Sequence, residues 1–301
     1  NNMNWNDVKK IIKREVLKEA TTVNAGNTKF NLRTGVNKNP TKLGIKVQFE
    51  PQEGFLDPDK YAALEVALLR SLTQLHGLSM KPYEMAKIGQ QIEHQFIGTQ
   101  CGIMDQMVSA CGVFGQAIFL DCESLKIKTV PLFPNHTFIV IHSGSTRKLS
   151  QGSYNQRKEE TMIASKILNV PSLRYAFIDQ LNQIEDPIIR KRSKHVIFEN
   201  NRVIKATSCL EKNDAKQFGK LMYLSHQSMR DDYEISSEEL NRVVESARNS
   251  GALGARLTGA GFGGCVIVLV EYKKAESITR SILSQCPKAY LITTISGKLY
   301  S

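Results

Sequence analysis

The stretch Leu257-Thr258-Gly259-Ala260-Gly261-Phe262-Gly263-Gly264, continuing into Cys265-Val266-Ile267-Val268-Leu269-Val270, is the segment whose reading decides the fold. Gly264 to Val270 is an uninterrupted apolar run of strand length and reads as a buried strand. The four glycines ahead of Cys265 let the backbone turn sharply and can aim N–H groups at an anion. The same composition also suits a turn that only permits tight strand packing. The order excludes a dinucleotide-binding fingerprint, whose glycines follow a strand and open a helix. A Walker loop is excluded as well, because no Gly-Lys-Ser/Thr follows.

Working outward, a helix at Lys274 to Leu283 and a last strand at Ala289 to Ile295 come after this run. Ahead of it stands a helical block: Pro187 to Cys209, Asp214 to Met229 and Ser237 to Asn249. A shorter helix covers Glu159 to Leu168. Gln116 to Asp121 and Thr137 to His142 read as strands separated by a Pro-containing turn. Further back, Ala62 to Leu72 is apolar most of the way round and predicts a central buried helix ending near Gly77. A second helix follows Pro82 to about Phe96, and Thr99 to Gln106 opens a third that runs through Ala110. Asn6 to Ala20 reads as a basic helix, and Thr21 to Leu43 as loops and weak strands. Helices and strands mixed in this order predict an α+β protein in two layers.

A length of 301 residues fits about two domains and a sizeable core. With 41% apolar and 23% charged residues, disorder is excluded. Lys plus Arg number 40 against 29 Asp plus Glu, a balance of +11 that suits a polyanionic cofactor as well as nucleic acid. No aromatic interleaving or binding motif accompanies the charge, so the reading is no nucleic acid. Six cysteines stand singly, without zinc spacing, which points to a reducing, cytoplasmic setting. No apolar run approaches the ~20 residues of a membrane span, so no membrane contact is expected. The first 20 residues are too charged for a signal peptide. The chain starts at Asn1 without an initiator Met, so a longer gene product is expected.

Three segments can carry chemistry. In Gly102-Ile103-Met104-Asp105-Gln106 an acid sits at the start of a helix that looks buried. Asp105 is either a first-turn residue stabilised by the helix dipole, or a general base for a reacting hydroxyl. His142 to Leu149, followed by Ser153-Tyr154-Asn155-Gln156-Arg157, is a strand running into a polar, basic loop. That suits ligand contact and also an ordinary solvated loop. His142 has no Ser or Asp partner at triad spacing, and His94 and His226 read as structural or surface residues. The glycine turn is the third segment.

Together, Cys101-Gly102-Ile103-Met104-Asp105-Gln106, the His142 to Arg157 loop, Ser225 to Ser236 (SHQSMRDDYEIS) and Leu257 to Cys265 resemble the galactokinases of the GHMP small-molecule kinase family. The resemblance runs nearly continuously from Ala62 to Val270. It implies a two-domain α+β fold: a ribosomal-protein-S5-like domain over residues 1–135 and a ferredoxin-like domain over 136–301. It also implies ATP-dependent phosphorylation of the anomeric hydroxyl of galactose by a monomer. Asp105 would take the hydroxyl proton, and Gly102 and Tyr154 would border the sugar. Gly259, Gly261, Gly263 and Gly264 would lie at the ATP phosphates, and Glu93 would contact Mg2+.

Two departures stand beside these matches. The family's N-terminal sugar signature, which supplies an Arg to the phosphoryl group and Glu, His and Asp to the sugar, is not found before Ala62. Where the family has a Gly- and Ser-rich phosphate loop, this chain has Pro51-Gln52-Glu53-Gly54-Phe55-Leu56-Asp57-Pro58-Asp59-Lys60-Tyr61, with three acids and no serine. Omission of segments from this sequence is the expected cause. The alternatives are a catalytically degenerate sensor of sugar and nucleotide, or a kinase for a related sugar such as N-acetylgalactosamine.

Overall fold

The computed structural model describes residues 22–25, 28–34, 47–49, 61–75, 77–94, 101–145 and 150–297. Side chains of the strands up to Phe49, of Tyr61 and of residues 150–154 lie outside that description. The expected Asn6 to Ala20 helix, the Pro51 to Lys60 stretch, Thr99-Gln100 and residues 146–149 lie outside the described residues. Two units divide the chain: Asn1–Gly112 with Cys122–Leu125, and Val113–Asp121 with Lys126–Ser301.

In the first unit, β1 (Thr22–Ala25), β2 (Thr28–Thr34) and β3 (Val47–Phe49) form an antiparallel sheet in that order. Three helices follow: α1 (Tyr61–Leu75), α2 (Pro82–Ile92) and α3 (Met104–Cys111). Pro82 opens α2 at a position where its missing N–H costs nothing. The α-helix gives way to a π-type turn at Glu93–His94, and the expected end near Phe96 lies outside the described residues. The expectation that α1 is buried all round is corrected. Only the stripe Ala62, Val66, Leu69 and Thr73 is buried, while Leu68 and Leu75 are exposed. Its spacing of four, three and four residues is that of a single helix face. Within this unit, that face has α2 and α3 to cover it. The Arg70 guanidinium adds a bond, donating to Ala110 O at 2.6 Å.

The second unit begins with the hairpin β4 (Gln116–Leu120) and β5 (Ile127–Pro131). It continues with β6 (His136–His142), α4 (Ser150–Ile167), α5 (Pro187–Glu211), α6 (Ala215–Asp231), α7 (Glu238–Asn249), β7 (Gly254–Thr258), β8 (Cys265–Glu271), α8 (Ala275–Gln285) and β9 (Tyr290–Ser296). Strands β6 to β9 make one antiparallel sheet in the order β7-β8-β6-β9. Numbered from β6, that order is 2-3-1-4, the ferredoxin-like arrangement. Period-two alternation fills both faces of the sheet. Ile139, Ile141, Val266, Val268 and Val270 pack with the Leu240 and Ile282 layer of α7 and α8. Phe138 and Leu269 point the other way, to Phe133 and to Met222 of α6. Gly219 of α6 lies directly against the backbone at Leu253–Gly254, where a Cβ on either glycine would overlap the other chain segment. Among the described residues, no helix is long and apolar enough to cross a membrane.

Candidate functional site

In the first unit, α3 sorts its side chains by helical period. Ile103, Gln106, Met107 and Ala110 are buried, while Met104, Asp105 and Val108 are exposed. Asp105 therefore presents its carboxylate at the exposed side of the first helical turn, not in the buried setting that its apolar neighbours suggest. The helix dipole favours a negative charge there. Gly102, just before the helix, is exposed, and a Cβ added to it would meet nothing within 4 Å. Its backbone is open to a ligand.

Behind this edge lies a cluster of buried polar groups. Glu93, in the π-type turn that follows α2, is 7% exposed and accepts a hydrogen bond from Gln106 Nε2 at 2.6 Å. Cys101 O accepts from Gln90 Nε2 at 3.2 Å and pairs with His94 Nε2 at 2.9 Å. His94 therefore helps to hold the turn into α3. Burial, with the Glu93 carboxylate beside it, pushes the Cys101 thiol up to about 12. Glu65 of α1 is pushed up to about 8, first by burial and then by the charge of Glu93. Glu65 Oε2 and Gln106 Oε1 are buried without a hydrogen-bond partner. The carboxylate of Glu93 is a hard oxygen donor, so its chemistry fits Mg2+. Among the described residues no group of three or more His, Cys, Asp and Glu is arranged around a metal position.

In the second unit the glycine turn is the loop of the β7–β8 hairpin, closing after the Thr258–Cys265 pair. Gly259, Gly261, Phe262, Gly263 and Gly264 all have positive φ. At Gly261, φ is +82° and a Cβ would overlap Ile235 O, so no other residue fits without movement. The loop is anchored by Phe262 N–H donating to Ile235 O at 2.6 Å and by Gly264 N–H donating to Ser145 O at 3.1 Å. Ser143 N–H donates back to Gly264 O at 2.9 Å. The end of β6 is thereby joined to the turn. His142 accepts the Gly144 N–H on Nδ1 and stacks on Tyr290, a structural use of the ring. Tyr154 lies on α4, which begins at Ser150 and not at Glu159 as expected.

Each unit thus gathers part of the expected set: Glu93, Gly102 and Asp105 in the first, Gly259 to Gly264 with Ser143 to Ser145 in the second. The GHMP kinases N terminal domain family matches residues 62–113, and the GHMP kinases C terminal family matches residues 206–288. The first segment contains Glu93, Gly102 and Asp105, and the second contains Gly259 to Gly264 but not Ser143 to Ser145. The chain carries matches to both GHMP kinase domain families, N terminal and C terminal, in that order. Among solved structures it resembles galactokinase of Lactococcus lactis complexed with galactose, at 31% identity and a TM-score of 0.74, over 79% of this chain and 65% of that one. Mevalonate kinase of L. major complexed with R-mevalonate matches at 21% identity and a TM-score of 0.54, over 79% and 65%. Methanococcus jannaschii mevalonate kinase matches at 21% and 0.53, over 78% and 62%. The latter two show the fold alone. The chain spans 62% to 65% of the length of these structures.

Sequence reasoning missed several residues that stand beside the expected ones. Glu65 and Gln106 carry no local signal, since a Glu in an apolar helix reads as its solvent face. The carbonyls of residues 232–234, next to the glycine turn, are held by Arg157 and Arg192. Arg192 stands in the run Arg190-Lys191-Arg192-Ser193-Lys194, which looks like any solvated basic face.

Proposed function

We propose that this chain is a GHMP kinase and transfers the γ-phosphoryl group of ATP to the anomeric C1 hydroxyl of galactose. The sugar oxygen bonds to phosphorus, the bond from phosphorus to the β–γ bridging oxygen breaks, ADP leaves, and the hydroxyl proton passes to Asp105. The observation that carries the reading is Asp105 itself, exposed at the first turn of α3 within Cys101 to Gln106, beside the open backbone of Gly102. The similarity to a galactose-bound galactokinase supports the sugar over an acid substrate. Gly102 and Tyr154 border the sugar, and Gly259, Gly261, Gly263 and Gly264 lie at the phosphates. Glu93 would hold Mg2+, whose chemistry in such a site is to neutralise charge on the phosphates. Positioning and electrostatics then do most of the catalysis. The protein acts as a monomer in the cytoplasm, without nucleic acid or membrane; its six free cysteines support a reducing compartment.

A coupled ADP-release assay with a panel of aldohexoses tests the reading. Turnover should be greatest with galactose, with N-acetylgalactosamine as the narrower competitor. Asp105→Asn should lower kcat by a factor of about 10³ or more while leaving thermal unfolding unchanged, since the residue is exposed. Absence of turnover with every sugar would sink the proposal.

A second reading rests on the acidic Pro51 to Tyr61 stretch, which stands where the family has its phosphate loop. A sensor would bind galactose and nucleotide in calorimetry and consume no ATP.

A further inference from the structure

Residues 232–235 link α6 to the α7 cap at Ser237, and their four successive carbonyls are all engaged by donors from other elements. Asp232 O accepts from Arg192 Nη1 at 2.6 Å, and Tyr233 O from Arg157 Nε at 2.7 Å. Glu234 O accepts from Arg157 Nη2 at 3.3 Å, and Ile235 O from Phe262 N–H at 2.6 Å. Helices α5 and α4 thus hold three of these carbonyls, and the glycine turn hangs on the fourth.

The two guanidinia are themselves fixed. Arg192 is 3% exposed; its Nε donates to Glu160 Oε2 at 3.1 Å and its Nη2 to Glu234 Oε2 at 2.7 Å. Arg157 Nη1 reaches the same Glu160 oxygen at 3.0 Å. Every arm of the Arg192 fork is used, a pattern a lysine cannot reproduce. Glu234 has φ +55°, a backbone state in which Gly or Asn is the usual choice. A glutamate there makes sense because its carboxylate closes the fork. Backbone held in a costly state by surrounding bonds is characteristic of segments that fix functional geometry. An ion pair with one half-exposed partner is a poor source of net stability, so plain stabilisation does not account for the arrangement.

We propose that Arg192 and Glu234 are positioning residues for the glycine turn, fixing through Ile235 O where the Phe262 amide and its neighbours stand. The proposal rests on the reading of that turn as the phosphate side of the kinase site. At Gly261 there is no spare room against Ile235, so a shift of Ile235 is passed directly to the turn.

The test uses Glu234→Ala, at a half-exposed side chain, and Arg192→Lys, which keeps the charge and loses the fork. Exchange of the Phe262 and Gly264 amides should rise about tenfold in both, with other core amides unchanged. In Glu234→Ala, kcat should fall about tenfold, with KM for galactose within about twofold and the thermal midpoint within about 3 °C. Unchanged exchange overturns the proposal, and so does faster exchange with unchanged kcat. A general rise in exchange with a collapsed midpoint in Glu234→Ala assigns the pair to stability and overturns it too. If the unaltered protein turns over no sugar, the kinase reading fails by itself. The positioning role is then decided by Phe262 exchange together with calorimetric ADP affinity, which should weaken about tenfold in Glu234→Ala; either one unchanged overturns the role.

Discussion

Lowering the pH from 7 to 5 should destabilise the second unit through two buried histidines, His195 and His226. Each is held at about 4, well below the ordinary 6.5, chiefly by burial. His226 is fully engaged as a neutral ring: Nδ1 accepts from Leu257 N–H and Nε2 faces Asn241 Oδ1 at 3.1 Å. His195 pairs with Ser228 Oγ at 3.0 Å and stacks on Tyr233. Unfolding frees both rings to take up protons below pH 6.5, whereas the native state refuses them until about 4. The unfolded state therefore binds more protons, and stability falls with acidity across that window. Linkage over pH 7 to 5 gives a loss of about 2 kcal/mol per ring, or about 4 kcal/mol for the pair. For a unit of this size that is on the order of 10 °C in thermal midpoint. Urea titrations followed by far-UV circular dichroism at pH 7, 6 and 5 measure it directly. His226→Gln offers one acceptor and one donor without a titrating proton, so it should remove about half of the acid-induced loss. If the loss from pH 7 to 5 is the same in His226→Gln as in the unaltered protein, the reasoning fails.

Glu65 should act with the opposite sign in the first unit. Its native carboxyl keeps a proton up to about 8, whereas an unfolded glutamate loses it near 4.5, so stability should decline as pH rises between those values. Glu65→Gln should flatten that decline and raise the midpoint at pH 8, as read by differential scanning calorimetry; an unaltered slope contradicts the assignment. Gly261→Ala should cost at least about 2 kcal/mol in chemical unfolding, because it adds a Cβ at positive φ directly against Ile235 O. A neutral outcome there would mean that the turn yields freely. Gln106→Leu should cost about 3 kcal/mol, since it leaves the buried Glu93 carboxylate without the amide that donates to it.

The helices and the β8 strand were legible because each buries a periodic set of side chains, as in the α7 stripe Leu240, Val243, Val244 and Ala247. Strands β4 and β9 were read too, although β9 is almost wholly exposed, but two other strands were not. Strand β5 buries only Val130 between Lys128, Thr129 and Pro131, and no alternation marks it. Strand β7 hides Ala255 and Leu257 around Arg256, too short a pattern to register, so its hairpin with β8 went unread. The first turns of α4, Ser150-Gln151-Gly152-Ser153, are polar and carry a glycine, which signals a loop. Asp105 was singled out by its hexapeptide, but the side of the helix it faces was not legible. The apolar neighbours Ile103 and Met104 suggested burial, yet a step of 100° per residue places Met104 and Asp105 outward while Ile103 and Gln106 go in.

The same limit explains why two motifs that look independent in sequence are one object in space. Ser225 to Ser236 and Leu257 to Cys265 are separated by a helix and a strand, and nothing local in either predicts the other. Yet the carbonyl of Ile235 receives the Phe262 N–H, and the space beside Gly261 is filled by that same carbonyl. A glycine turn alone can take many shapes, because glycine carries no preference for one sign of φ. What selects a single shape is an external reference: a backbone segment clamped at four successive carbonyls to α4, α5 and the turn itself. Flexible residues at the loop and rigid bonds at its support are complementary requirements, one permitting close backbone approach and the other fixing where the approach occurs. A change in the support should therefore alter the chemistry without touching a residue of the turn.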